Sequence, residues 1–182
     1  MKFINLEKIA VLFCLFLLVQ LANAQENYDV FDVARKGTLE QAREILKSNP
    51  KAFTILNEDG YSPLTLACYR GNNEVAKLLI DYKCNINGVS KMGTPLMAAI
   101  FKSNTEIAKY LIENNADLSI EDANGTSALI YATNAQNYEI VSLLIKAGAD
   151  CNKKDKRGKS ALDSAILLDD DKLIETLKNK KL

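Results

Sequence analysis

The sequence predicts an all-α solenoid of about five helix-turn-helix units, the first and last of them degenerate caps, joined by β-turn-like loops. Three observations predict it. Leu64, Leu96, Leu129 and Leu162 recur at intervals of 32, 33 and 33 residues. They sit inside the phrases Gly60-Tyr-Ser-Pro-Leu-Thr-Leu-Ala67, Gly93-Thr-Pro-Leu-Met-Ala-Ala99, Gly125-Thr-Ser-Ala-Leu-Ile-Tyr-Ala132 and Gly158-Lys-Ser-Ala-Leu-Asp-Ser-Ala165. Each phrase is followed by an apolar stripe at helical spacing, as in Glu74-Val-Ala-Lys-Leu-Leu-Ile80, Glu106-Ile-Ala-Lys-Tyr-Leu-Ile112 and Glu139-Ile-Val-Ser-Leu-Leu-Ile145, with a looser copy in Lys172-Leu-Ile-Glu-Thr-Leu-Lys178. Finally, Ser62, Thr94, Ser127 and Ser160 stand just ahead of the leucines, where a hydroxyl caps a helix.

Composition narrows the functions available. The 182 residues hold 23 Lys plus Arg against 23 Asp plus Glu, 48% hydrophobic residues, four Cys and no His or Trp. A balanced charge gives no electrostatic reason to expect nucleic acid, which needs a surplus of cations on one face. Without histidine there is no Ser-His-Asp or Cys-His nucleophile pair, HExxH metal site or C2H2 zinc site, since each needs an imidazole. A carboxylate enzyme would need paired acids converging in a cleft, and a solenoid offers an open groove instead. No enzyme, cofactor or metal is expected.

The first segment, residues 1–24, reads as an address. Lys2 and Lys8 precede an apolar run from Ile9 to Val19, and Ala22-Asn23-Ala24 supplies the small-x-small pattern of signal-peptidase cleavage. The run is shorter than the roughly 18 residues a spanning helix requires, so no stable membrane insertion is expected once it is cleaved. Phe13 before Cys14 is too large for a lipoprotein signal. Cleavage before Gln25 leaves 21 basic and 22 acidic residues and three thiols, Cys68, Cys84 and Cys151. The expected localisation is therefore exported, periplasmic in a bacterium given the short leader and the richness in Lys, Asn and Ile, with the extracellular space as the alternative.

The repeat domain is expected over 25–180, in units of 28–56, 57–88, 89–121, 122–154 and 155–180. The first unit is read from Val30-Phe-Asp-Val-Ala-Arg-Lys-Gly37 and Glu40-Gln-Ala-Arg-Glu-Ile-Leu46. In the next two, Pro63 and Pro95 occupy the first helical position, where the missing N–H costs nothing. Ala67, Ala99, Ala132 and Ala165 lie one turn beyond the leucines and let the short first helix approach its neighbour closely. At the end of the second helices Gly148 suits a left-handed residue and Asn115 tolerates it, whereas Lys83 predicts a less tidy end to the second unit. The terminal units must cap the stack. Asp32, Arg35, Lys36 and Lys47 at one end, and Asp169-Asp-Asp171 with Lys178 to Lys181 at the other, are expected to face water.

With openings such as Gly60-Tyr-Ser-Pro-Leu64 and Gly93-Thr-Pro-Leu96, similar to that family's Gly-x-Thr-Pro-Leu, and the closes Lys83-Cys-Asn-Ile-Asn87, Asn115-Ala-Asp-Leu-Ser119 and Gly148-Ala-Asp-Cys-Asn152, the chain resembles the ankyrin-repeat family over nearly everything after residue 24. The position where that family often has histidine holds Thr65, Met97, Ile130 and Asp163. The imidazole bonds between adjacent loops are therefore missing, which places rigidity in doubt. In register, Cys84 aligns with Ala116 and Ala149, and Cys151 with Ile86 and Leu118, so the thiols are expected to be buried as small hydrophobes. The alternative is an intermolecular disulfide through Cys151.

The resemblance implies a protein-binding role through loop tips and the exposed, concave side of the first helices. Tip positions are Glu58, Asp59, Tyr61, Lys91, Asn124, Thr126, Lys156, Arg157 and Lys159. First-helix positions are Tyr69 and Arg70, Phe101 and Lys102, Asn134 and Ala135, and Leu167 and Leu168. The expected protein-binding set is Tyr61, Tyr69, Arg70, Lys91, Phe101, Lys102, Asn134, Lys156 and Arg157. Tyr69 and Phe101 fall at equivalent places, each followed by a cation, and such residues anchor interfaces. The alternative is that both rings merely cover the neighbouring helix. The run Lys153-Lys-Asp-Lys-Arg-Gly-Lys159 reads either as a solvated loop tip or as a docking point for an acidic partner. The expected protein is a monomeric adaptor or inhibitor of an unidentified protein partner, or alternatively a secreted effector acting on a host protein.

Overall fold

The computed structural model describes residues 28–179. Five helix pairs follow one another: α1 (Val30–Lys36) with α2 (Leu39–Ser48), α3 (Pro63–Arg70) with α4 (Asn73–Asp81), α5 (Pro95–Phe101) with α6 (Thr105–Glu113), α7 (Ala128–Asn134) with α8 (Tyr138–Lys146), and α9 (Ala161–Leu167) with α10 (Asp171–Asn179). One turn of 3-10 helix, Ala52–Thr54, closes the first pair. Among the described residues extended pairing is limited to the isolated bridges Ser90–Gly93 and Glu121–Ser127 in the loops. First helices pack on first helices and second on second, forming two layers along the stack.

The caps form as the sequence predicts. The hydroxyls of Ser62, Thr94, Ser127 and Ser160 accept from the amides of Thr65, Met97, Ile130 and Asp163, so each short first helix starts with one orphan donor satisfied. The unit at the start of the stack is better formed than a degenerate copy suggests. Asp29 caps α1, and Thr38 and Gln41 make a reciprocal capping box on α2.

The core lies between the layers. Ala34, Ala67, Ala99, Ala132 and Ala165 are wholly buried where neighbouring first helices touch, and Val75, Leu79, Ile107, Leu111, Ile140 and Leu144 fill the space behind them. Cys68, Cys84 and Cys151 are all buried, and none forms a disulfide among the described residues. Burial pushes the Cys68 and Cys84 thiols above the usual cysteine range.

Three expectations are corrected. Lys83 does not spoil the end of the second unit. It adopts φ 58°, the left-handed conformation also taken by Asn115 and Gly148, and the following amide of Cys84 still bonds back to the Leu79 carbonyl at 3.0 Å. The regular packing of α4 overrides the local preference of lysine.

The acidic triplet is not simply a solvated cap. Asp170 is buried, caps α10 through the Leu173 amide at 3.1 Å, and accepts from the Tyr138 hydroxyl at 2.8 Å and Gln136 Nε2 at 3.0 Å. The Leu173 amide and the Tyr138 hydroxyl hold its carboxyl below the usual range.

The C-terminal end is also less polar than a cap should be. Ile166 is 53% exposed, although its counterparts Cys68, Ile100 and Thr133 are buried by the next first helix. Leu167 and Leu168 are exposed beside it. Lys180 and Lys181, like the predicted signal in residues 1–24, lie outside the described residues.

Candidate functional site

In place of imidazoles there are two other polar series, one that bridges neighbouring repeats and one that shapes each loop tip. The first occupies the N-cap positions of the second helices, and Asn104, Asn137 and Asp170 accept there from the amides of Ile107, Ile140 and Leu173. Asn72, Asn104, Asn137 and Asp170 occupy equivalent positions, and three of them reach back one repeat. Asn72 Nδ2 donates to the carbonyls of Gly37 and Val33 at 2.9 and 3.2 Å, Asn104 Nδ2 to Asn73 Oδ1 at 2.6 Å, and Asn137 Nδ2 to Thr105 Oγ1 at 2.8 Å. At the fourth position Asp170 does the same as an acceptor.

The second series shapes the loop tips. Asn57, Asp122 and Asp155 each stand three residues ahead of a loop glycine, and one side-chain oxygen of each accepts two backbone amides. These belong to Asp59 and Tyr61, to Asn124 and Thr126, and to Arg157 and Lys159, at distances of 2.8–3.1 Å. Such Asx turns fix a tip without a long loop-to-loop network. The recurring Asn/Asp-x-x-Gly spacing is the sequence signal that would have found them.

On this scaffold the exposed side of the first-helix layer carries an aromatic ladder. Tyr69 at the end of α3 stacks on Phe101 at the end of α5, with centroids 6.3 Å apart and an interplanar angle of 11°. The edge of the ladder continues to Tyr131 on α7, whose ring meets Phe101 at 6.5 Å and 83°. Offset stacks and edge-on contacts at these separations are the favoured aromatic geometries. Tyr131 is the functional candidate that sequence reasoning missed, because the equivalent positions in the neighbouring repeats hold Leu66 and Ala98. Its hydroxyl donates to Asp122 Oδ2 at 2.8 Å, tying the ladder to a loop tip. Burial and the Asp122 hydrogen bond push the Tyr131 phenol up to about 12. Burial opposes ionisation of Asp122, yet the Thr126 amide, the Tyr131 hydroxyl and the Asn124 amide together hold its carboxyl below the usual range.

Cations flank the rings. The Lys102 ammonium lies 5.0 Å and the Arg70 guanidinium carbon 5.9 Å from the Tyr69 centroid, inside cation–π range. Stacking does not conceal the ladder, for Phe101 remains 57% exposed. The two readings of this pair therefore hold in part together: Tyr69 is half-buried against the core, and Phe101 presents its ring to solvent.

The remaining expected residues separate into groups. Asn134 is exposed at the position equivalent to Tyr69 and Phe101, and Lys91 is exposed at a loop tip. Tyr61 is half-buried against the core, and its backbone serves the Asn57 turn. Thr126, expected at a tip, is buried because its amide is drawn in by Asp122.

The basic run is largely engaged within the chain. Lys153 pairs with Glu121 at 3.0 Å and donates to the Ser119 carbonyl at 2.9 Å, and Lys156 Nζ donates to the Ala123 carbonyl at 2.8 Å. Arg157 grips buried Asp155 through Nε and Nη2 at 3.0 and 2.9 Å. The Lys159 amide and that guanidinium hold the Asp155 carboxyl low.

The second-helix face likewise spends part of its charge internally. Lys77 pairs with Glu106, Lys109 with Glu139 at 2.9 Å, and the Tyr110 hydroxyl donates to Asp81 at 2.7 Å, each bond crossing between neighbouring repeats.

Repeated helix pairs with capped hydroxyl starts and Asx-turned tips define a helical repeat module that presents a surface for binding. A family model of three ankyrin repeats matches residues 30–122 and again residues 115–181, so the chain belongs to the ankyrin-repeat family. Ankyrin repeats are protein–protein interaction modules, and their partners are proteins. Among the described residues no helix is long and apolar enough to cross a membrane.

Proposed function

We propose that this protein is an exported, non-enzymatic adaptor or inhibitor that binds another protein through the concave side of its first helices. The observation that carries the reading is the Tyr69–Phe101–Tyr131 ladder, in which rings pre-organised by stacking are held at the surface beside Arg70 and Lys102. Aromatic and Arg side chains fixed before binding lose little entropy on association and anchor interfaces for that reason. Export rests on the residue pattern of 1–24, with a cleaved leader ahead of Gln25 and a periplasmic destination.

Capture of partners from the native compartment tests the first half. The wild-type chain should enrich a protein that the Tyr69→Ala/Phe101→Ala variant does not, while both give the same helical circular dichroism. Equal enrichment by folded wild type and variant would overturn the assignment of the face. Mass spectrometry of the N-terminus tests the second half: a chain starting at Gln25 in the periplasmic fraction is expected, and a chain retaining Met1 in the cytoplasm would remove export.

A further inference from the structure

The formal charge of the chain is zero, but the charges are not mixed evenly. Between Tyr61 and Asn73, between Tyr82 and Thr105, and between Ala123 and Tyr138 there is no Asp or Glu, whereas Arg70, Lys83, Lys91 and Lys102 all fall within these stretches. Those stretches hold α3, α5 and α7, the three central first helices. Acids instead occupy the second helices, at Glu74, Asp81, Glu106, Glu113 and Glu139. Of the acids in the loops beside these helices, Asp122 and Asp155 are buried in their turns and Glu121 is paired with Lys153, while Glu58 and Asp59 are exposed at the tip ahead of α3. Among the described residues Arg70, Lys91 and Lys102 form no ion pair. The three central first helices, α3, α5 and α7, thus carry no acid, while on the second-helix face Glu106 and Glu139 are paired with lysines of the neighbouring repeat.

Resting on the binding role proposed above, we infer that the occupant of the ladder is an acidic protein segment, with an apolar or aromatic side chain seated on Phe101 and carboxylates meeting Arg70 and Lys102. A carboxylate suits this place because both cations already lean over the Tyr69 ring and keep donors free for an incoming acceptor. Complementary charge at the rim steers encounter and excludes basic partners, while the ring supplies the buried anchor. Single-stranded nucleic acid also combines stacking with anionic charge, but it binds along a continuous basic groove. Here the cations are few and two of the three rings already share a face.

The test uses labelled peptide probes titrated into the purified protein and read by fluorescence anisotropy: one alternates Glu with Phe, its matched versions replace Glu by Gln or by Lys, and an oligothymidylate runs beside them. The Glu probe should bind about tenfold or more tightly than the Gln probe, a difference of roughly 1.4 kcal/mol. Binding of the Lys probe should be undetectable, and the Glu probe should weaken as salt rises. Arg70→Gln/Lys102→Gln should abolish the difference between the Glu and Gln probes, and Tyr69→Ala/Phe101→Ala should weaken both. Equal binding of the Glu and Gln probes, preference for the Lys probe, displacement of the Glu probe by oligothymidylate, or binding of no peptide at all would each overturn the acidic-segment inference. The binding face stands or falls separately, by capture of the native partner.

Discussion

The Tyr131 hydroxyl donates to Asp122 Oδ2 at 2.8 Å, so a ring at the surface of α7 and a carboxylate buried in the loop before it form one unit. The remaining oxygen of Asp122 holds the amides of Asn124 and Thr126. Orientation of the ladder and conformation of the tip are therefore coupled.

This coupling predicts an acid dependence. The Asp122 carboxyl is held below its ordinary value of 3.8 in the folded chain, so its contribution to stability is present above that value and is lost as pH falls through the depressed native one. Tyr131→Phe should cost about 1.5 kcal/mol near pH 7, the low end for a hydrogen bond to a charged group because the ring is half-exposed. In urea titrations the gap between wild type and Asp122→Asn should narrow as pH falls from about 7 to about 2. A constant gap would show that Asp122 acts by shape alone.

Equivalent positions should respond unequally. Ile100 is 1% exposed between α5 and α7, while Ile166 at the end of the stack is 53% exposed. Ile100→Ala should destabilise by about 2–5 kcal/mol, the usual cost of emptying a packed site. Ile166→Ala should stay within about 0.5 kcal/mol, as surface changes do. Comparable losses in chemical denaturation would mean that Ile166 is covered in solution.

The left-handed positions make opposite predictions. Lys83 holds φ 58° where glycine carries no penalty, so Lys83→Gly should stabilise by about 0.5–1 kcal/mol. At Gly93, φ is +79° and an added Cβ would press on Met97 Sδ, so Gly93→Ala should lower the melting temperature. Melting curves in which Lys83→Gly falls and Gly93→Ala rises would contradict the backbone assignment.

The thiols should be inert while the chain is folded. Cys68 is wholly enclosed and its thiolate is disfavoured by burial, so labelling by a thiol reagent should track global unfolding, with Cys84 and Cys151 reacting sooner. Immediate labelling of Cys68 in native buffer would refute this order.

The repeat number, the helix starts and the buried thiols were all legible along the chain, because each depends on local spacing: a hydroxyl ahead of a leucine, an alanine one turn on, an apolar stripe behind. The sequence alone also identified the first-helix positions that carry Tyr69 and Phe101. It did not reveal that Tyr131 joins them, that Lys153, Lys156 and Arg157 are engaged by neighbouring loop atoms, or that Asp170 is buried. Nor did it foresee that the missing histidines are replaced by the Asn72–Asn104–Asn137 series and the Asx turns. Those outcomes depend on which atoms of adjacent repeats come within hydrogen-bond reach when the helices stack. A linear pattern specifies what each unit can bury, and only the stacked structure decides which polar groups satisfy one another and which remain available to a partner.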